Sequence, residues 1–172
     1  WVLVTYKLNA RGWDRHWFTK NFVSMGLGTV AQLGAAWAIV GEPCTGSYIY
    51  VFAISFWVGV TSSTQDFRDI KGDALSGRAT IPIVFGEYQS RKIMAIVWYT
   101  MALFMTVIFL LLAYDNGIGP WAFAVDLILI IIWHLTIAQR LRWFNTAKND
   151  RITYLAHSYL YCMLLASSFL LF

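Results

Sequence analysis

Charge is what this sequence has least of. Only 13% of its 172 residues are charged, while 59% are hydrophobic. A soluble domain carries about 25% charged residues, so an ordinary soluble fold is excluded. Cysteine is nearly absent as well. Cys44 and Cys162 are the only two, too few for a disulfide framework, and they read as isolated thiols. His134 and His157 stand alone in apolar stretches. With no Cys or His at ligand spacing, neither points to a metal. The chain has no signal-peptide pattern, long linker, low-complexity tract or clear repeat. It opens at Trp1 within an apolar stretch, and Trp1–Tyr6 is expected to be the cytoplasmic end of an earlier helix.

What is present is a series of long uncharged runs. They cover 21–41, 43–65, 93–114 and 152–172, and a fifth, 116–139, is interrupted only by Asp126. Each is close to the about 20 residues that cross a bilayer as a helix. The expected fold is all-α: one multi-pass transmembrane helical bundle of about five spans over residues 1–172. The 13 Lys and Arg residues fall in three places: before the first run, between the second and third, and between the fourth and fifth. Five spans put all three on one side, which the positive-inside rule makes cytoplasmic. The net charge of +4 is then a topology signal, and no nucleic-acid partner is expected.

The first run is rich in small residues, among them Ser24, Gly26, Gly28, Gly34 and Ala38. Such residues let helices approach closely in lipid, or make room for a ligand. Gln32 within it must face protein or a cavity, because a bare amide in hydrocarbon costs several kcal/mol. Ser55, Gly59, Ser62, Asp66, Asp69 and Asp73 follow at spacings of three and four, one polar stripe on a helix face. In a helix, the three carboxylates fall within an arc of roughly 60°. Three anions on one face call for a neutralising cation, and magnesium suits, since it takes one or two carboxylates and completes its shell with substrate phosphates. The run reads otherwise as a solvated helix end, with Arg68 and Lys71 forming local ion pairs. Gly77 and Pro82 mark the following 76–82 as a cytoplasmic loop, and the third span is expected to begin near Ile93.

The stretch Asp69-Ile70-Lys71-Gly72-Asp73, then Gly77 and Thr80-Ile81-Pro82-Ile83-Val84-Phe85-Gly86, resembles the second aspartate-rich motif and following loop of UbiA-type intramembrane prenyltransferases. Five spans with the acidic run between the second and third match the C-terminal part of that nine-helix fold. The family's first aspartate-rich motif is absent. The resemblance therefore implies a fragment lacking about four N-terminal helices, with half of a metal site and no turnover by itself. It implies Mg²⁺ held by Asp69 and Asp73, with Asp66 and Gln65 in support. Arg78, Lys71, Lys7 and Arg11 become diphosphate-binding candidates, although Lys7, Arg11, Arg15 and Lys20 also read as plain topology anchors. The implied reaction ionises an allylic prenyl diphosphate and transfers the prenyl group to a lipophilic or aromatic acceptor. The alternatives are a terpene cyclase of the same fold, or a non-enzymatic transport or structural subunit.

Two further features stay open. Asp126 is an intramembrane carboxylate near the outer end, expected to pair or snorkel. Aromatic residues make up 17% of the chain. Trp121, Trp143 and Tyr154 are placed as interfacial belt residues, while others are free to face a cavity and stabilise a carbocation.

Overall fold

A computed structural model describes residues 2–172, with the side chains of 4, 5, 7–9 and 120 outside that description. Lys7 is one of these, so its proposed diphosphate role falls outside the described residues.

The described residues are mostly helical. After α1 (Val2–Arg11) and a 3₁₀ turn (Trp13–Arg15), a π-helical stretch (Thr19–Gly26) runs into α2 (Leu27–Val40). Then come α3 (Thr45–Thr61), a 3₁₀ segment (Ser62–Asp69), α4 (Ile70–Leu75) and α5 (Ile81–Phe85). The bundle closes with α6 (Glu87–Asp115), α7 (Pro120–Trp143), α8 (Ala147–Ala166) and α9 (Ser168–Leu171).

Among the described residues, four helical stretches are long and apolar enough to cross a membrane: 19–40, 87–115, 121–143 and 147–171. The remaining expected span, 43–65, has an α-helical part of only 17 residues. At 1.5 Å per residue that is about 26 Å, just short of a hydrocarbon core of about 30 Å. The polar 3₁₀ segment continues it outward. Large apolar residues such as Leu103, Leu111, Val125 and Phe169 lie on the outside, as a lipid-facing surface requires.

The third long helix starts six residues earlier than expected, at Glu87. The expected loop over 76–82 gives way at Ile81 to a short helix, Ile81–Phe85, because a proline in its first turn presets the backbone. Arg91 is thereby drawn off the surface. Its guanidinium meets both oxygens of Asp150 at 2.8 and 2.7 Å and lies over the Phe67 ring at 4.8 Å.

The core lies where α3, α6, α7 and α8 meet, around Ile54, Trp57, Met94, Trp98, Ile130 and Leu160. The indole N–H groups of its two tryptophans are matched, as a dry interior demands. Trp57 Nε1 donates to His134 Nε2 at 2.9 Å, and Trp98 Nε1 to Thr64 Oγ1 at 3.0 Å. The small residues divide. Gly26 packs onto α3, where an added Cβ meets the Ser55 carbonyl at 3.5 Å and the Gly59 Cα at 3.7 Å; around Gly34 the space is open. Asp126 is paired: Ser167 Oγ donates to it at 2.7 Å.

Candidate active site

The acidic run is not one continuous helix face. Residues 62–69 wind as a 3₁₀ helix, and Asp69 leaves helical geometry at φ −133° and ψ 31° before α4 begins. The three carboxylates therefore part company. Asp66 is 2% exposed and Asp73 4%, while Asp69 lies on the surface.

Each buried carboxylate has found a cation. Lys20 Nζ stands 2.5 Å from Asp66 Oδ1. Arg78 reaches Asp73 Oδ1 with Nη1 and Asp14 Oδ2 with Nη2, each at 3.2 Å. Burial pushes the Asp66 carboxyl above its usual range and the charge of Asp73 adds to this; Lys20 and Arg78 oppose it. The second oxygen, Asp66 Oδ2, is buried with no hydrogen-bond partner. Beside it, Asn21 Nδ2 donates to Ser63 Oγ, and Asn21 Oδ1 is likewise buried without a partner.

A backbone stitch assembles this corner. Ala79 N donates to Arg15 O at 2.6 Å, and Trp17 N to Ala79 O at 3.0 Å. The pairing lays the loop after the acidic run alongside residues 15–17, and Gly77 allows the preceding turn at φ +66°. It brings Arg11, Asp14, Arg15, Ser76 and Arg78 around one polar cavity of about 540 Å³. Arg11 and Arg78, both diphosphate candidates, thus share a cavity. Lys71 is exposed and does not line it. Arg68 is drawn over the Tyr154 ring at 4.3 Å.

Gly72 has a specific task. A Cβ there would collide with the Asp69 carboxylate, so glycine makes the room that Asp69 occupies. Gln65 and Ser62 open onto a second cavity of about 270 Å³ inside the bundle, with Thr29, Gln32, Val58, Tyr154, His157 and Tyr161 among its lining. Gln32 stands at the rim of this cavity and stays exposed. Tyr154 lines this wall, while Trp121 and Trp143 are exposed at 88% and 70%.

Among the described residues, no three His, Cys, Asp or Glu side chains form a ready metal-holding group. The donor set nonetheless fits a hard cation. The oxygen donors are carboxylates, Asp66 Oδ2 is buried and unpartnered, and magnesium needs only one or two protein carboxylates beside substrate phosphates.

Lys20, Asn21, Asp14 and Arg15 escape a sequence reading as site residues. Lys20 lies 46 positions from Asp66, and Asp14 lies 64 from Arg78. Nothing local signals such pairings, and only the stitch between the two loops creates them.

Residues 1–168 match the UbiA prenyltransferase family, and the chain belongs to that family. It is 31% identical over 166 residues to the diterpene cyclase eriG of Hericium erinaceus, covering 96% of this chain and 51% of the relative. It is 32% identical over 168 residues to the polyprenyl transferase eriF of the same fungus, covering 98% and 54%. The somaliensene A/B synthase of Streptomyces somaliensis is 33% identical over 168 residues, again 98% and 54%. The chain thus spans about half the length of these relatives. No solved structure matches.

Proposed function

We propose that this chain forms the diphosphate-ionising part of an intramembrane prenyltransferase that acts on an allylic prenyl diphosphate in the presence of Mg²⁺. One observation carries the reading: two buried carboxylates, Asp66 and Asp73, sit under paired cations beside an arginine-lined cavity at one end of an apolar bundle. By the positive-inside pattern, that end faces the cytoplasm.

Asp69 and Asp73, with Asp66, would hold the metal, and Gln65 would support it from the neighbouring wall. A divalent ion held there would supply positive charge to the diphosphate oxygens. Arg78 and Arg11 bind the remaining phosphate oxygens, with Arg15 on the same cavity wall. Lys71, exposed on α4, is the weaker candidate. Asp14 holds the Arg78 fork in place, and Lys20 opposes the effect of burial on the Asp66 carboxyl. The bundle cavity behind Gln65 and Ser62, walled by Tyr154 and Tyr161, takes the prenyl cation and excludes water. Aromatic π-faces stabilise a cation there. A lipophilic or aromatic acceptor then captures it; in a cyclase, a double bond of the same prenyl chain does so.

The test uses the full-length protein with Asp69→Ala and Asp73→Ala. Each is expected to lower magnesium-dependent pyrophosphate release by about a hundredfold or more, since metal stabilisation of developing charge is worth several kcal/mol. Undiminished release from both variants removes them as ligands. A wild type that releases no pyrophosphate from any prenyl diphosphate makes the chain a non-enzymatic membrane subunit. Product structure separates transferase from cyclase.

A further inference from the structure

The two intramembrane histidines are wired differently. His134 is fully engaged: its Nδ1 lies 2.8 Å from the Ile130 carbonyl, and its Nε2 accepts from Trp57 Nε1 at 2.9 Å. A ring that accepts at Nε2 carries its proton on Nδ1, so both nitrogens are spent. His157 is nine-tenths buried and lines the bundle cavity. Its Nε2 stands 3.2 Å from Thr61 Oγ1, whose own single proton is donated to the Trp57 carbonyl at 2.8 Å. The Thr61 oxygen can then only accept from His157. The ring proton sits on Nε2, and Nδ1 carries a lone pair. That Nδ1 is buried and has no hydrogen-bond partner.

Two hydroxyls of this wall are turned onto their own helices. Thr29 Oγ1 donates to Met25 O at 2.7 Å, and Ser158 Oγ to Tyr154 O at 3.1 Å. The rings behind His157 hold it from the core side. Trp57 lies 5.1 Å from it at 31°, and Trp98 5.6 Å away at 80°. His157 thus stands at the cavity wall with a free lone pair on a buried Nδ1, backed by aromatic rings.

We propose that His157 is the proton acceptor that ends the reaction in this cavity, with Thr61 as the positioning residue that fixes its tautomer. The assignment rests on the functional reading above. Cleavage of the substrate carbon–oxygen bond leaves the electron pair on diphosphate and an allylic cation in the cavity. A π pair, from an acceptor ring or from a distant double bond of the same chain, forms the new carbon–carbon bond and leaves a cationic adduct. That adduct ends by breaking a C–H bond. The C–H pair restores the ring or forms an alkene, and the proton passes to the Nδ1 lone pair. The imidazolium returns it to water or to the departing diphosphate. Transferase and cyclase routes both need this step, so the assignment does not depend on which one operates.

The experiment uses the full-length protein, geranylgeranyl diphosphate and Mg²⁺, with and without 4-hydroxybenzoate as acceptor. The readout is the ratio of prenylated or cyclised product to pyrophosphate released. His157→Gln keeps a donor toward Thr61 and removes the base. It is expected to lower the ratio by about tenfold or more, at the low end of what a positioned base contributes, with water-captured prenyl alcohol rising in its place. Thr61→Val keeps the histidine but frees its tautomer. It is expected to lower the ratio by roughly threefold and to change the distribution of alkene isomers; it serves alone if the histidine variant does not fold. A wild type that turns over, with the ratio unchanged in the folded variants, overturns this assignment and leaves the functional reading intact. A wild type that releases no pyrophosphate overturns both.

Discussion

Two arginine–aspartate pairs lie on the same side of this bundle and do opposite things. Arg91 and Asp150 are 7% and 2% exposed at the side chain and meet through two contacts of 2.8 and 2.7 Å. Arg91 Nε also donates to Glu87 at 3.0 Å. Arg78 and Asp73 share one contact of 3.2 Å, with Arg78 39% exposed beside the polar cavity. The first pair is closed: its donors are used, its acceptors are satisfied and nothing can reach it. The second is open, with one carboxylate oxygen and one face of the guanidinium available. A closed buried pair fixes geometry; an open one can exchange partners when an anion arrives. The same two residue types are thus sealed together in one place and left beside a polar cavity in the other.

The sharpest way to break this contrast is Arg91→Ala. It leaves Asp150 as an unpaired buried charge, which costs roughly 3–5 kcal/mol. A large drop in melting temperature in detergent is expected, together with loss of magnesium-dependent turnover, because Arg91 also lies over Phe67, next to Asp66. A variant that melts like wild type would show that the closed pair is no brace. Lys20→Met comes next. It strips the one cation from Asp66 Oδ1, and a buried acceptor left unsatisfied costs roughly 1–3 kcal/mol. A melting shift smaller than that of Arg91→Ala is expected. The double variant Lys20→Met with Asp66→Asn should recover stability but not turnover.

Much of this architecture is legible in the sequence. Runs of 20 uncharged residues have one solution in a bilayer, and the basic loops fix their order. Gly72 and Gly77 are placed by motif and used for geometric reasons, one beside the Asp69 carboxylate and one in a turn with positive φ. Helix ends are less legible. Arg91 and Lys92 look like the edge of a loop, yet tertiary pairing with Asp150 pulls Arg91 inside the helix. The site is half legible. Local spacing finds Asp66, Asp69 and Asp73 but assumes α-helical winding, and the 3₁₀ segment separates them. Lys20, Asp14 and the His157–Thr61 pair are set by contacts 46, 64 and 96 residues apart, which no local pattern encodes.

The open pair predicts a division between binding and stability. Arg78→Ala is expected to move the melting temperature little, since a partly exposed pair is worth about 1 kcal/mol at most. The KM for prenyl diphosphate should rise about tenfold or more, because a hydrogen bond to a charged group is worth roughly 1.5–3 kcal/mol. Arg78→Lys keeps the charge but loses the fork that spans Asp73 and Asp14, so it should recover only part of the affinity. Equal KM values in all three proteins would place the diphosphate elsewhere.

The smallest effect is expected at Gly72→Ala, and its direction is informative. Alanine gains about 0.5–1 kcal/mol over glycine within a helix, so α4 itself should not suffer. The new Cβ would instead displace the Asp69 carboxylate, which is on the surface and free to rotate away. Stability should therefore hold or rise slightly, while the magnesium concentration for half-maximal activity goes up. That combination separates a glycine kept for a carboxylate from one kept for the backbone. If Gly72→Ala leaves the magnesium dependence unchanged, Asp69 does not act from the position that Gly72 makes for it.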